Sequence, residues 1–536
     1  MKIVVCMLVL CLLFSIAAFA DEEAGHHHHN AGEQLGTVSF PTSCAPAVQK
    51  SFERGVALLH SFWYEEATKQ FEQVGQQDIK CAMAHWGVAM SLWHQLWSRP
   101  DAGDLERGWA EVTKARKAGA RTAREREYIA ALAEFYRDPG KRDYRERTQA
   151  YSQAMEKVYQ ENPKDLEAGA FYALSLLAAE PPNDATFTNR KKAIAILNRL
   201  FQEEPNHPGL AHYIIHSCDK PQLASLGLDA ARRYAQIAPS SPHAVHMPSH
   251  IFARLGLWQE DIQSNLASIA ATQKASGMHM GGEAHQVHAM DFLLYAYLQV
   301  GQEAEARKIA EKASAFKRMG DDDMSLYVDY ARVGFAATYD LEMRHWAEAA
   351  AIEPPADMEP FNKAVAYWAR TIGAAHLHDA DAARKNAKQF DELMEVVRKS
   401  KYSYMAEETK SDRDELESWL AFAENRSDEA LRRMREVADH QDNVGKAEVA
   451  IPAREMLGDM LLEVNRPGDA LAEYEKALKT DPNRFNGLYG AARAAELMHQ
   501  SEKANAYYAQ LLKNCDNGAH SERPELARAR TLLAKN

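Results

Sequence analysis

A chain of 536 residues exceeds what one ordinary hydrophobic core accommodates, so it must form several domains or one long repeat array. Its 46% apolar and 26% charged residues are those of a globular chain, which excludes disorder over most of the length. A formal net charge of -13 leaves no basic surplus to neutralise phosphates, which argues against nucleic acid or an anionic membrane as the main partner.

Met1 to Ala20 has the layout of a secretory signal: Lys2, an apolar run from Ile3 to Ala18, and Ala18-Phe19-Ala20 before Asp21. Cleavage after Ala20 would leave a periplasmic or secreted protein. No later stretch approaches about 18 uninterrupted apolar residues, so no membrane span is expected. Residues 21–45, which carry His26, His27, His28 and His29, read as a disordered N-terminus. Cys6 and Cys11 leave with the signal. Of the remaining Cys44, Cys81, Cys218 and Cys515, the first two bracket the first expected hairpin, and an oxidising compartment would let them staple that end of the array.

From Pro46 helical patterning runs to the C-terminus and strand signals are absent, which predicts an all-α solenoid of stacked antiparallel hairpins. The first stretch, 46–318, contains turn signals at Pro181-Pro182-Asn183, Gly256-Leu257-Trp258 and Val300-Gly301-Gln302. Residues 319–360, with Asp321-Asp322-Asp323 and Pro354-Pro355, read as an irregular break or hinge. Hairpins resume over 361–445, and the clearest repeats fill 446–536.

Leu457-Gly458, Ala470, Tyr474, Ala477 and Pro482 fall where tetratricopeptide repeats place their signature residues, and Ala492, Ala504 and Tyr508 follow at the same 34-residue step. Gly55, Leu58, Ala67 and Phe71, then Trp86-Gly87, show the same pattern near the N-terminus. The chain thus resembles secreted bacterial tetratricopeptide repeat proteins over nearly all of its mature length. That resemblance implies a helical superhelix whose groove, lined by the first helix of each hairpin, binds a peptide or a protein.

Pro208, His212 and His216 recur 34 residues later as Pro242, His246 and His250. Within each copy the histidines are four apart and share one helix face. A solenoid sets equivalent positions of successive hairpins side by side, so the two pairs should form a square of imidazoles. His243, His285 and His288 are expected to complete the shell, with Glu283, Asp219 or Asp291 in reserve. Residues 207–288 hold nine of the 22 histidines, the others in the cluster being His207 and His279.

Imidazole suits zinc, copper, nickel and iron, and a set lacking cysteine points to copper or an open zinc site. Met278-His279-Met280 would add soft ligands, although a flexible loop explains it as well. The same histidines fit three readings: a transition-metal site, a metal-free polar groove for a peptide or carboxylate, and a copied structural motif. A metal-dependent hydrolase or oxidoreductase is the rival from another class, with His212, His216, His246 and His250 as ligands and Glu283 as base. His-Glu-x-x-His, the phosphate-cradling glycine loop, Gly-x-Ser-x-Gly and Cys-x-x-Cys-His are all missing, which favours a binding scaffold. His60 and the tryptophans Trp86, Trp93, Trp97 and Trp109 read as structural.

Overall fold

The computed structural model describes residues 33–96, 98–277, 283–317 and 323–534. The expected signal peptide, the His26–His29 run, Trp97 and Met278-His279-Met280 lie outside them. From Gln34 onward the chain forms one contact unit. Among the described residues every regular element is helical and none is a strand. The helices pair as antiparallel hairpins, and the fold is a tetratricopeptide-like helical solenoid.

Small residues set the spacing of the repeats. In the first hairpin, Gln49–His60 and Tyr64–Gln77, the ring of Phe71 lies between Gly55 and Gly87 of the next hairpin. A Cβ on Gly55 would sit 2.7 Å from that ring, and one on Gly87 would sit 2.4 Å from it. Tyr474 occupies the equivalent place near the other end, between Gly458 and Gly490, at 2.7 and 2.3 Å by the same measure. Close backbone approach and a buried aromatic are therefore one device, used at both ends of the chain. The turns also obey local rules. Asn183 and Asn465, each between two helices, take left-handed φ values of 58° and 57°, which asparagine tolerates better than most residues.

Apolar cores follow one another along the array, from Leu35 to Ala275, then Ala253 to Tyr339, then Ala337 to Ala529. Residues 33–45, expected as part of a disordered N-terminus, pack against the first of these. Phe40 is fully buried beside Phe52, Trp86 and Tyr128, and the Thr37 N–H donates to the carbonyl of Asn206 at 2.9 Å. The cause is local composition, since burying one phenyl ring contributes about 2 kcal/mol. Cys44 and Cys81 are joined in a disulfide with Cα atoms 4.7 Å apart, while Cys218 and Cys515 are free and buried.

Among its described residues, the stretch expected as a break is helical over Asp323–Glu342 and Trp346–Ala350, with irregular chain at 343–345 and 351–359. Apolar residues at helical spacing, among them Leu326, Ala331, Phe335 and Ala337, outweigh the acidic run and the proline pair.

One further feature positions the site. The connection after the Ser427–Val444 helix crosses back onto helices near residue 250. Lys220 Nζ donates to the Val444 carbonyl and Arg254 to the Lys446 carbonyl, both at 2.9 Å, and Tyr295 donates to the Ala450 carbonyl at 3.0 Å. Deeper, Arg484 is clamped by the carboxylates of Glu342 at 2.7 Å and Glu455 at 2.8 Å. Among the described residues, no helix is long and apolar enough to cross a membrane.

Candidate metal centre

The repeated proline-histidine pattern falls on the Pro208–Cys218 helix and on Pro242–His246, which continues after Met247 as Pro248–Leu255. Proline opens Pro208–Cys218 and Pro242–His246 because the first turn has no intrahelical use for its missing N–H. His207 and Ser241 cap these two helices, accepting from the N–H groups of Leu210 at 3.2 Å and Ala244 at 3.4 Å.

The expected square divides into two triads. His246, His250 and His288 form one, and His212, His216 and His243 form the other; within each, one ligand-type atom per residue lies within 4.8 Å of the other two. His243, on the same Pro242–His246 helix as His246, joins the pair from the preceding helix, and His288, from Glu283–Gln299, joins the other pair. His285 joins neither triad, its ring resting 5.2 Å from that of His243. The Glu283 side chain lies outside the described residues.

In the first triad, Nε2 of His250 faces Nε2 of His246 at 3.1 Å and Nε2 of His288 at 3.3 Å. The opposite nitrogen of each ring is held by oxygen. His246 Nδ1 donates to Asn265 Oδ1 at 2.7 Å, His250 Nδ1 to Asp219 Oδ2 at 2.9 Å, and His288 Nδ1 to the Tyr327 hydroxyl at 3.2 Å. These partners are themselves oriented. Asn265 Nδ2 donates to Asp261, fixing its oxygen toward His246, and Tyr327 donates to Asp291 at 2.6 Å, leaving its lone pair for His288. With Nδ1 carrying the proton, each neutral ring presents an Nε2 lone pair to the same small space.

Three lone pairs at such distances repel unless a cation lies among them. A tetrahedral ion held roughly 2.0–2.1 Å from each nitrogen spaces its ligands about 3.3 Å apart, close to the separations seen here. Burial, then the neighbouring imidazoles, push His246 and His288 well below the ordinary histidine pKa. His250 differs: burial opposes its charge, but hydrogen bonds to Asp219 and Glu448 outweigh it and raise the pKa to about 9. Without an ion, a proton on His250 Nε2 serves as the cation and is donated to a facing nitrogen. A metal would replace it.

The second triad is oriented by the end of the first helix. The last carbonyls of a helix lack intrahelical partners, and that of His60 accepts from His212 Nδ1 at 2.6 Å, turning His212 Nε2 toward His243 Nε2, 3.1 Å away. His216 Nε2 is buried with no hydrogen-bond partner. Phe62, at φ 52°, covers this group, stacking on His216 and His243 at ring distances of 5.4 and 5.8 Å and meeting His212 edge-on at 4.4 Å. Burial holds His212 down to about 3 and depresses His216 and His243 as well.

His207 stands apart with His60. Both donate from Nε2 to the buried Glu167, at 2.9 and 2.7 Å, and His60 Nδ1 meets the Tyr213 hydroxyl at 2.9 Å, a satisfied network that suits a structural role. Trp86 and Trp93 are buried in the core, while Trp109 is about one-third exposed. Sequence reasoning missed Asn265, on the Trp258–Gly277 helix paired with those carrying His246 and His250, and Tyr327 and Glu448, which come from farther along the chain; no spacing rule links them to the histidines.

No family model matches this chain, and neither does any curated protein. Among solved structures it is similar to the human IFIT1 dimer with m7Gppp-AAAA, at 13% identity and TM-score 0.37, over 81% of this chain and 90% of that one. A monomeric IFIT1 mutant with Gppp-AAAA gives 11% identity and TM-score 0.36, over 89% and 95%. A likeness this loose carries no argument about ligands.

Proposed function

We propose that this is an exported helical-repeat protein that binds one transition-metal ion, copper or zinc, between His246, His250 and His288. The observation that carries the reading is the convergence of three Nε2 atoms while an oxygen acceptor holds each Nδ1. Metal-ligating histidines are generally backed in this way, because the acceptor selects the tautomer and raises ligand basicity. The Cys44–Cys81 disulfide and the signal-like N-terminus support export.

Burial favours an ion over a peptide at these histidines. His243 and His246 are 1% exposed and His250 is 7% exposed, while His216 and His288 are half-buried, which leaves little imidazole surface for a peptide to contact. A peptide or protein partner, as the repeat resemblance implies, would have to bind elsewhere on the groove. For a hydrolase, a carboxylate would have to face the ion with an open position beside it. The described carboxylates nearest the triad, Asp219 and Glu448, instead engage the Nδ1 side of His250. Binding and holding the ion fits this arrangement better than turnover.

The test is metal content of the full-length protein with His26–His29 replaced by asparagine, dialysed against copper or zinc and analysed by mass spectrometry. One or more ions per chain, with at least one lost in His246→Ala with His250→Ala at unchanged helical content, is the expected result. Equal metal in the parent and the double variant, or none in the parent, would refute it.

A further inference from the structure

We propose that His212, His216 and His243 hold a second ion beside the first, so that six imidazoles carry a pair of monovalent copper ions. This rests on the reading of His246, His250 and His288 as a metal site. Three observations lead to it.

First, the second triad repeats the convergence of the first, with an oxygen backing one ring, His212, where the first triad has all three backed. The His60 carbonyl fixes His212 with Nε2 inward, and that atom meets His243 Nε2 at 3.1 Å. His216, one helical turn on with its ring 4.7 Å from that of His212, brings a buried Nε2 that nothing else uses. A buried polar atom without a partner is destabilising, and a bound ion would satisfy it.

Second, the triads are contiguous. The rings of His216 and His250 are 6.1 Å apart, and so are those of His243 and His246. The two groups are therefore neighbours, with Phe62 packed on one and Phe292, 4.9 Å from His246, on the other.

Third, the surrounding charge selects the ion. Two divalent cations would bury four positive charges among neutral ligands. The carboxylates at hand, Asp219 and Glu448, already pair with Arg254, at 2.9 and 3.5 Å. Asp261 and Asp291 stand one residue further out, accepting from Asn265 and Tyr327 and not touching the imidazoles. Burying uncompensated charge costs several kcal/mol per ion, so two Cu(I) ions fit where two Zn(II) ions do not. Copper accepts imidazole, and each triad supplies three nitrogens.

The experiment is an anaerobic titration with Cu(I) against a chromophoric chelator, using the full-length protein with His26–His29 replaced by asparagine. Two ions per chain are expected in the parent. His216→Ala should hold one, and His246→Ala with His250→Ala should hold no more than one, with helical circular dichroism as the folding check. A parent that binds a single ion, retained in His216→Ala, overturns the second position and leaves the first standing. A parent that binds none overturns both. The parent stoichiometry is decisive by itself, so a variant that folds poorly cannot hide the answer.

Discussion

Asp219 and His250 are joined by a hydrogen bond of 2.9 Å from imidazole Nδ1 to carboxylate Oδ2, while the other oxygen of Asp219 accepts from Arg254 at 2.9 Å. This pair fixes which nitrogen of His250 faces the centre and places a negative charge behind it. Asp219→Asn keeps the shape and removes the charge. Metal affinity should fall roughly 10- to 100-fold, the usual cost of losing an outer-shell partner, with helical content preserved. Competition against a chromophoric chelator measures it; an unchanged affinity would show that Asp219 serves Arg254 alone.

The Cys44–Cys81 bridge closes a loop of 37 residues around the first hairpin. A loop of that length restricts the unfolded chain enough to stabilise the fold by about 4 kcal/mol. Thermal unfolding of Cys44→Ser with Cys81→Ser should occur at lower temperature than that of the parent. In the native parent, Cys218 and Cys515 should resist thiol labelling because both are buried, and both should react after unfolding.

Glu415 supplies a pH test away from the metal centre. It is 4% exposed and accepts from Gln441 at 2.9 Å and Trp368 at 3.2 Å; burial, then Asp412, raises its pKa to about 8. The folded chain therefore holds this proton more tightly than the unfolded chain does, whose glutamate titrates near 4.5. Its contribution to stability is intact below the unfolded value and is lost as pH rises toward about 8. Glu415→Gln should flatten the melting temperature across that window and exceed the parent at pH 8, with the two curves meeting at low pH. Parallel curves would contradict the assignment.

The fold was legible because its rule is periodic. Glycine near an aromatic at a fixed step, as in Gly55, Phe71 and Gly87 or Gly458, Tyr474 and Gly490, is both a sequence pattern and a packing device. The histidines at 212, 216, 246 and 250 were legible for the same reason, since a solenoid turns register into proximity. Their division into two triads was not. It depends on which pair His243 and His288 join, and on backing atoms such as Asn265 Oδ1 and the His60 carbonyl, which sequence spacing does not encode. The helix at Asp323–Glu342 was missed because charge and proline nearby masked its apolar spacing. Burial of the centre was equally hidden, because the connection near Glu448 lies 198 residues from His250 in sequence.

The most direct measurement is anomalous diffraction at the copper or zinc edge from crystals of the metal-loaded protein, again with His26–His29 replaced by asparagine. An anomalous peak is expected bounded by the Nε2 atoms of His246, His250 and His288, with their Nδ1 atoms still on Asn265, Asp219 and Tyr327, respectively. A metal-loaded crystal with no peak there, or with those three imidazoles turned away from one another, would contradict it.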